Sequence, residues 1–347
     1  MSIEINQLKL DIDMNLMIQL SNLDRFDASW NSIEKREGAS LKQLKSIATV
    51  KSVGASTRIE GSKMSDDEVA VLIDKIEITQ LELRDQQEVV GYFETLDTIT
   101  DNFAAIEITE SQIKGLHNLL LKHGEKDTWH RGQYKQHSNA VEATLNNGTK
   151  QIIFRTTEPG FPTQDAMNRL IDWYEQDTNT LPLIKTALFV YEFLSIHPFQ
   201  DGNGRLSRLL ASLLLLKNGY AWIQYISFEH EIENRKAEYY KVLMETQRNR
   251  PGENVTAWLQ FFISCLNNIQ RNLLQKLDQH KDPAQALSLR EQRILFFIQN
   301  YPGSKSGEIA QKLDIALPTV KKTLKDLTNK NLVAKIGVGR GTAYLVE

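Results

Sequence analysis

The sequence contains a single cysteine, Cys265, among its 347 residues. One cysteine forms no disulfide within the chain and supplies no cysteine-based metal cluster, so both kinds of site are excluded. Cys265 lies in the apolar segment 258–266, where the hydrophobic spacing is helical. That context predicts a small, buried hydrophobic side chain.

Long hydrophobic runs are also lacking. The longest, residues 209–216, is interrupted by Ser212 and is far shorter than the roughly 20 residues that span a bilayer. Residues 1–6 lack the basic region and apolar core of a secretory signal. With 41% hydrophobic and 24% charged residues, the composition is typical of a soluble globular protein of two or three domains, which we expect to be cytoplasmic.

The formal net charge is only −3, which argues against a chain that coats nucleic acid along its whole length. The charge is nevertheless uneven. From residue 285 onward there are ten basic and five acidic side chains, whereas the remainder holds 31 basic and 39 acidic ones. A basic module on an acidic body predicts a contact with nucleic acid or with an acidic protein.

Most of the sequence has helical rather than alternating periodicity, which predicts a mainly α fold. The clearest examples are residues 116–121, 167–174, 184–196, 205–217 and 239–247. We expect an amphipathic helix at 184–196. The β-branched patch 151–157 is followed by a Glu-Pro-Gly turn and predicts a strand or a small hairpin.

A new pattern begins after residues 280–283. Three short helical segments, 288–300, 304–313 and 317–329, precede two apolar stretches that flank the glycine-rich residues 337–341. Three helices followed by a glycine-tipped hairpin predict a winged helix-turn-helix.

The third of these helices would expose Thr319, Lys321, Lys322 and Lys325. Two interpretations stay open for them: contacts to nucleic-acid phosphates, or a solvated face beside a wing that binds protein or another subunit.

The candidate catalytic and phosphate-binding residues lie at 197–208, where the sequence is His-Pro-Phe-Gln-Asp-Gly-Asn-Gly-Arg-Leu-Ser-Arg. Gly202 and Gly204 stand just before a predicted helix, where converging backbone N–H groups and the helix dipole favour an anion. Asn203 either caps the helix or binds a phosphate oxygen. Arg205 and Arg208 are about one turn apart and reach the same anion.

Two further side chains complete a phosphate-handling site. Asp201 supplies a hard oxygen ligand of the kind that Mg²⁺ prefers when it bridges phosphates. A histidine ordinarily titrates near neutrality, so His197 is expected to be suited to take a proton from an attacking hydroxyl group. The competing interpretation is an ordinary helix end and turn. The chain has no Gly-x-x-x-x-Gly-Lys-Ser/Thr motif, so it is not a P-loop enzyme.

The stretch 197–208 resembles the signature of Fic-domain proteins, His-Pro-Phe-x-Asp/Glu-Gly-Asn-Gly-Arg-x-x-Arg, with every fixed position present. The resemblance implies a helical Fic fold and transfer of AMP from ATP to a serine, threonine or tyrosine hydroxyl of a target protein. It makes His197 the general base and Asp201 the ligand of Mg²⁺ on the diphosphate. The residues expected to bind ATP are Gly202, Asn203, Gly204, Arg205, Leu206 and Arg208.

Other segments agree with the same family. Residues 129–134 resemble the segment ahead of the family's flap, so 151–157 falls where a hairpin would align a target peptide by strand addition. Residues 234–240 resemble a helix that borders the nucleotide base. Tyr240 is therefore a candidate base or ribose contact, with a core aromatic as the alternative.

Ser56-Thr57-Arg58-Ile59-Glu60-Gly61 resembles the family's inhibitory motif, Ser/Thr-x-x-x-Glu-Gly/Asn. The resemblance implies that the Glu60 carboxylate pairs with Arg208 and misplaces the phosphates of ATP. The alternative for Glu60 is a solvated surface carboxylate. Glu60 also suggests a second activity, in which it positions water and helps to remove AMP from a modified target.

The expected organisation is an N-terminal helical region (1–75) that carries the inhibitory motif, a Fic catalytic domain (76–280) and a winged-helix domain (284–347). In the N-terminal region, the side chains of Trp30, Leu41, Leu44 and Ile47 form a plausible apolar face. Family habit also suggests a homodimer. Two other functions compete: a DNA-binding regulator whose Fic site senses nucleotide, and a Fic enzyme with another donor.

Overall fold

The computed structural model describes residues 8–76, 80–144, 150–279, 287–330, 332–337, 339 and 342–346. The helices are α1 Met14–Ile59, α2 Asp66–Asp74, α3 Arg84–Asn102, α4 Glu110–Leu120, α5 Phe161–Gln176, α6 Pro182–Ile196, α7 Asn203–Lys217, α8 Phe228–Asn234, α9 Lys236–Gln247, α10 Thr256–Gln279, α11 Leu289–Asn300, α12 Ser306–Lys312 and α13 Leu317–Asn329. The strands are β1 Ala140–Thr144, β2 Lys150–Arg155, β3 Val333–Ile336 and β4 Ala343–Val346. The prediction of a mainly α fold is confirmed.

The chain divides into two compact units. The first comprises the described residues up to 36 and from 45 to 272, and the second those of 37–44 and from 273 onward. Among the described residues, no helix is both long and apolar enough to cross a membrane.

Helices α6 and α7 form the centre of the first unit. Nearly every side chain of α6 from Leu183 to Ile196 is buried, as is every one of α7 up to Leu216. A helix that is buried on all sides belongs to the interior of a domain. The expectation that 184–196 is amphipathic was therefore wrong, because its acidic residue Glu192 is buried in an ion pair with Arg250.

Asp13 precedes helix α1 as its N-cap, and its carboxylate accepts a hydrogen bond from the N–H of Leu16. Its early buried side chains are Leu16, Leu20, Leu23, Phe26 and Trp30, which recur every three or four residues. Phe26 and Trp30 pack on the rings of Trp222 and Tyr225, which follow α7. Of the predicted apolar face, Trp30, Leu41 and Leu44 are buried and Ile47 is half-buried.

Helix α1 stops within residues 56–61, the segment that was predicted to be an inhibitory motif. Gly61 has φ +112°, a conformation that favours glycine, and the N–H of Ser62 donates to the carbonyl of Thr57. Glu60 is thereby the last residue of the helical path, with its side chain at the end of α1.

Strands β1 and β2 pair in antiparallel register, from Ala140 opposite Arg155 to Thr144 opposite Lys150. The extended patch predicted at 151–157 is therefore the second strand of a hairpin and the residues just after it. The tip, 145–149, lies outside the described residues.

The second unit contains α11, α12 and α13, followed by the antiparallel pair β3–β4. Its core includes Ile294, Ile298, Ile309, Leu313, Val320, Leu324 and Leu327. Lys321, Lys322 and Lys325 are exposed on α13, whereas Thr319 is half-buried. Gly337 and Gly339 lie between the strands, and the rest of the wing tip lies outside the described residues.

Candidate active site

The turn between α6 and α7 starts at His197, which ends α6 with φ 53° and ψ 60°. Left-handed backbone is uncommon for a residue other than glycine and is often found at functional sites. Two bonds to the Asn203 side chain hold the turn: the Phe199 N–H donates to Oδ1 at 2.9 Å, and Nδ2 donates to the Phe199 carbonyl at 2.7 Å. Asn203 is therefore not the helix cap; Gly202, at φ 78°, occupies that position.

The imidazole of His197 has a defined proton arrangement. Its Nδ1 lies 3.3 Å from the carbonyl oxygen of Leu194, and because a carbonyl only accepts, Nδ1 must carry the proton. Nε2 then holds a lone pair and is the nitrogen able to take a proton. Burial, followed by the positive charge of Lys135, lowers the pKa of His197 to about 4, so the ring is neutral at physiological pH.

A second histidine, His117 of α4, supports the turn from behind and was not predicted from the sequence. Its ring stacks on Phe199 with centroids 3.8 Å apart, and its Nε2 lies 3.0 Å from the Asp201 carbonyl. The N–H of Gly132 donates to Nδ1 at 2.9 Å, so the proton is on Nε2. Burial lowers the pKa of His117 to about 4, and the neutral ring fixes the position of the turn.

The Asp201 carboxylate is half-exposed and lies between two cations. Arg205 Nη2 is 3.3 Å and Arg84 Nη2 is 3.1 Å from its Oδ2 atom. Partial burial would raise the pKa of Asp201, but Arg205, the Gly202 N–H and Arg84 lower it below its ordinary value. The side chain is thus ionised at neutral pH. Arg205 is itself buried and lies 3.3 Å from Glu88.

Arg208 is buried under the end of α1. Its Nε donates to the Ser56 hydroxyl at 2.8 Å, and its Nη2 donates to the Ser56 carbonyl at 3.0 Å and to Glu60 Oε1 at 2.7 Å. Burial would lower the pKa of Arg208, but Glu60 and the neighbouring tyrosines raise it above the usual range. The predicted pairing of Glu60 with Arg208 is present in the structure.

The Glu60 carboxylate also lies against the start of α7. A Cβ atom on Gly204 would collide with its Oε1 atom and would lie close to Arg208 Nη1. The first N–H groups of a helix have no carbonyl partner within it and carry the positive end of its dipole. Glu60 therefore places an anion where a phosphate would meet the same groups.

Leu206 and Tyr240 were also predicted to contact ATP, and the structure places their side chains in different surroundings. Leu206 is fully buried, and its N–H donates to the Gly202 carbonyl within α7, so its side chain faces the core. Tyr240 is half-buried and lies close enough to Glu60 and Arg208 for their charges to act on its hydroxyl, which places it beside the site. Its neighbour Tyr239, which was not predicted, is buried beside Ser207 and Arg208.

The donors at the turn fit a phosphate and a metal bound together. Within the described residues, no group of three or more acidic, histidine or cysteine side chains is arranged to hold a metal ion. Asp201 supplies a single ionised oxygen donor, which suits a Mg²⁺ ion that takes its other ligands from phosphates and water. Among the described residues, Arg208 Nη1 is buried without a hydrogen-bond partner, as expected for a group that binds an anion, whereas Arg205 Nη1 lies 3.3 Å from Glu88 Oε1.

Two sequence families match the chain. Residues 107–215 match the Fic/DOC family, and residues 287–334 match a winged helix-turn-helix DNA-binding family. The protein adenylyltransferase Fic of Drosophila willistoni is 27% identical over 206 residues, which are 58% of this chain and 39% of that protein. The chain thus spans about two fifths of the length of these relatives.

A Fido domain-containing protein of Dictyostelium discoideum is 30% identical over 129 residues, which cover 86% of its length and 37% of this chain. A crystal structure of a Fic family protein from Desulfovibrio desulfuricans superposes with a TM-score of 0.64 and 22% identity, covering 97% of each chain. The predicted helical fold with a hairpin and a C-terminal winged helix is confirmed.

Proposed function

Because the chain belongs to the Fic/DOC family, we propose that it is a protein adenylyltransferase that moves AMP from ATP to a hydroxyl group of a target protein. The observation that carries the proposal is the juxtaposition of a neutral His197, with its Nε2 lone pair available, and the Gly202 turn at the start of α7, which is backed by two buried arginines. Phosphoryl-group transfer depends mainly on such positioning and charge stabilisation.

In the proposed reaction, the target hydroxyl oxygen forms a bond to the α-phosphorus of ATP. His197 Nε2 takes the hydroxyl proton, the bond between the α-phosphorus and the bridging oxygen breaks, and pyrophosphate leaves with that oxygen. The start of α7, from Gly202 to Arg205, and the guanidinium of Arg208 bind the phosphates. Asp201 would hold Mg²⁺, which when bound neutralises phosphate charge.

Glu60 restrains this activity in our proposal. Its carboxylate pairs with Arg208 and lies against Gly204, so it competes with a phosphate for the same donors. The contact is extensive because Ser56 supplies two more acceptors to the same guanidinium. ATP that binds beside Glu60 would then be held with its α-phosphorus displaced from in-line attack.

The test uses ATP labelled at either the α- or the γ-phosphate, with the Glu60→Gly variant as enzyme. Transfer of AMP predicts that protein acquires the α-label only, and that adding His197→Ala abolishes it. Incorporation of the γ-label would indicate a kinase-like reaction instead, and α-labelling that survives His197→Ala would remove the proposed base.

A second candidate function is DNA binding by the C-terminal unit. The match of residues 287–334 to a DNA-binding family favours it, as do the three exposed lysines of α13. Full-length protein should bind duplex DNA with an affinity that falls steeply with salt, and K321A/K322A/K325A should lower both the affinity and the salt slope. Equal binding by wild type and variant would contradict a role for α13.

A further inference from the structure

Lys135 is a buried cation close to the candidate base. Its side chain is 2% exposed, and its ammonium group donates to Thr156 Oγ1 at 2.7 Å, to Asn139 Oδ1 at 3.0 Å and to the Ile196 carbonyl at 3.1 Å. An ammonium has three protons, so the three acceptors saturate it. Such a group is costly to bury, and a hydrophobic side chain would fill the space at lower cost.

The three acceptors come from three different places in the chain. Asn139 immediately precedes β1, Thr156 immediately follows β2, and Ile196 immediately precedes His197. One side chain therefore joins both ends of the β1–β2 hairpin to the residue before the candidate base.

Further bonds extend the same connection. The Lys135 N–H donates to the Pro198 carbonyl at 2.8 Å, and Asn139 Nδ2 donates to the Phe199 carbonyl at 2.9 Å. Thr156 Oγ1 donates in turn to the Asn139 carbonyl at 2.8 Å. The residues that frame the hairpin and those that follow His197 thus share one hydrogen-bonded network centred on the lysine.

We propose that Lys135 is a positioning residue that fixes the hairpin relative to His197, so that a target segment paired with the hairpin presents its hydroxyl to Nε2. This inference rests on the proposed adenylyltransferase function. This role accounts for a buried amine at this position, because the protonated amine donates to acceptors from three segments of the chain at once.

The electrostatics are consistent with this geometry. The ionisable groups that act on His197 are Lys135, which lowers its pKa, and Glu60 and Asp201, which raise it. Burial lowers the pKa of Lys135 itself to about 7, partly opposed by Glu158. Removing the positive charge should therefore move the acid limb of the rate profile to higher pH in Lys135→Met. Lys135→Arg keeps the charge and should leave the limb in place, whereas a loss of packing that hydrates His197 would move it in both variants.

The test compares Lys135→Met with Lys135→Arg in the Glu60→Gly background, with Lys126→Met, an exposed lysine, as matched control. We expect Lys135→Met to lower the rate of self-labelling from ATP about tenfold or more, because misplaced reacting groups lose the advantage of proximity. Affinity for ATP should stay within about twofold, since Lys135 is tied to the hairpin rather than to the arginines. Lys135→Arg should recover part of the rate.

Hydrogen exchange provides a readout that does not depend on activity. Peptides covering 139–157 and 196–200 should both exchange faster in Lys135→Met than in the control. If Lys135→Met does not fold, Thr156→Val, which removes one acceptor, should give the same changes at smaller size.

Parental exchange in both segments, or a parental rate and pH profile, would overturn the inference. A loss of ATP affinity in Lys135→Met as large as its loss of rate would also overturn the inference. If Glu60→Gly itself transfers no AMP, the proposed function fails, while hydrogen exchange still decides whether the lysine ties the two segments.

Discussion

Glu60 Oε1 accepts a hydrogen bond of 2.7 Å from Arg208 Nη2, across 148 positions of sequence. The Arg208 side chain is 2% exposed and the Glu60 side chain 31%, so the pair lies at the edge of the interior, where solvent screens it only partly. The carboxylate also lies against Gly204. One side chain therefore contacts both the guanidinium and the helix N-terminus to which a phosphate would bind.

Ser56→Ala should weaken this restraint without removing Glu60. The variant removes the acceptor for Arg208 Nε, a hydrogen bond from a buried charged group of the kind that contributes about 1.5–3 kcal/mol. We expect the rate of AMP transfer to rise about tenfold or more above wild type, measured as self-labelling from ATP. Ser29→Ala is the matched control, because its hydroxyl bonds to the Phe26 carbonyl within the same helix. An unchanged rate in Ser56→Ala would show that Glu60 alone accounts for the inhibition.

Asp201→Asn should separate metal binding from nucleotide binding. The amide keeps the size of the side chain but removes the charge that Mg²⁺ requires. In the Glu60→Gly background we expect the Mg²⁺ concentration for half-maximal labelling to rise at least about tenfold, a loss of the size seen when metal ligation is weakened. The exposed Asp172→Asn is the control, and an Asp201→Asn variant with parental Mg²⁺ dependence would remove Asp201 as the ligand.

His117 should make the fold sensitive to acid. Its pKa is about 4 in the folded state and 6.5 ordinarily, so between these values the unfolded chain binds more protons and the free energy of unfolding falls as pH decreases. At pH 7.5 we expect His117→Gln to lower this free energy by about 1–3 kcal/mol through lost hydrogen bonds.

At pH 4.5 the wild type has lost about 2 kcal/mol that the His117→Gln variant, which lacks the imidazole, does not lose. The difference in the free energy of unfolding between wild type and His117→Gln, measured by urea unfolding, should therefore be smaller at pH 4.5 than at pH 7.5, or should change sign. His137→Gln, at an exposed position, controls for a general effect of removing a histidine. A difference that is the same at both pH values would contradict the buried neutral state of His117.

Local pattern was enough to predict the mainly α fold, several of its helices and the winged helix, because apolar spacing and glycine-rich turns act over a few residues. For 151–157 it left a strand and a hairpin as alternatives. The motif 197–208 also identified the turn, since its parts are contiguous. It did not indicate that Asn203 would bond to Phe199, or that Leu206 would face the core, because one sequence fits several side-chain arrangements.

The supporting residues could not be found in this way. His117, Lys135 and Arg84 come from segments 60 or more positions before the turn they contact, and tertiary packing brings them there. A lone histidine on a helix or a lysine in an extended segment gives no pattern of its own. The prediction that 184–196 is amphipathic failed for the opposite reason. An acidic residue usually marks an exposed helix face, but here the ion pair with Arg250 compensates for the burial of Glu192.

The central claim is that the protein transfers AMP with His197 as the general base, and that Glu60 inhibits this transfer. The most direct measurement is the initial rate of incorporation of α-labelled AMP into protein by wild type, Glu60→Gly and the Glu60→Gly/His197→Ala double variant, with Mg²⁺ and ATP at equal concentrations. The account predicts a rate for Glu60→Gly at least about tenfold above wild type, as expected for loss of a buried ion pair, and a double variant at background. A Glu60→Gly variant no faster than wild type, or a double variant as fast as Glu60→Gly, would contradict it.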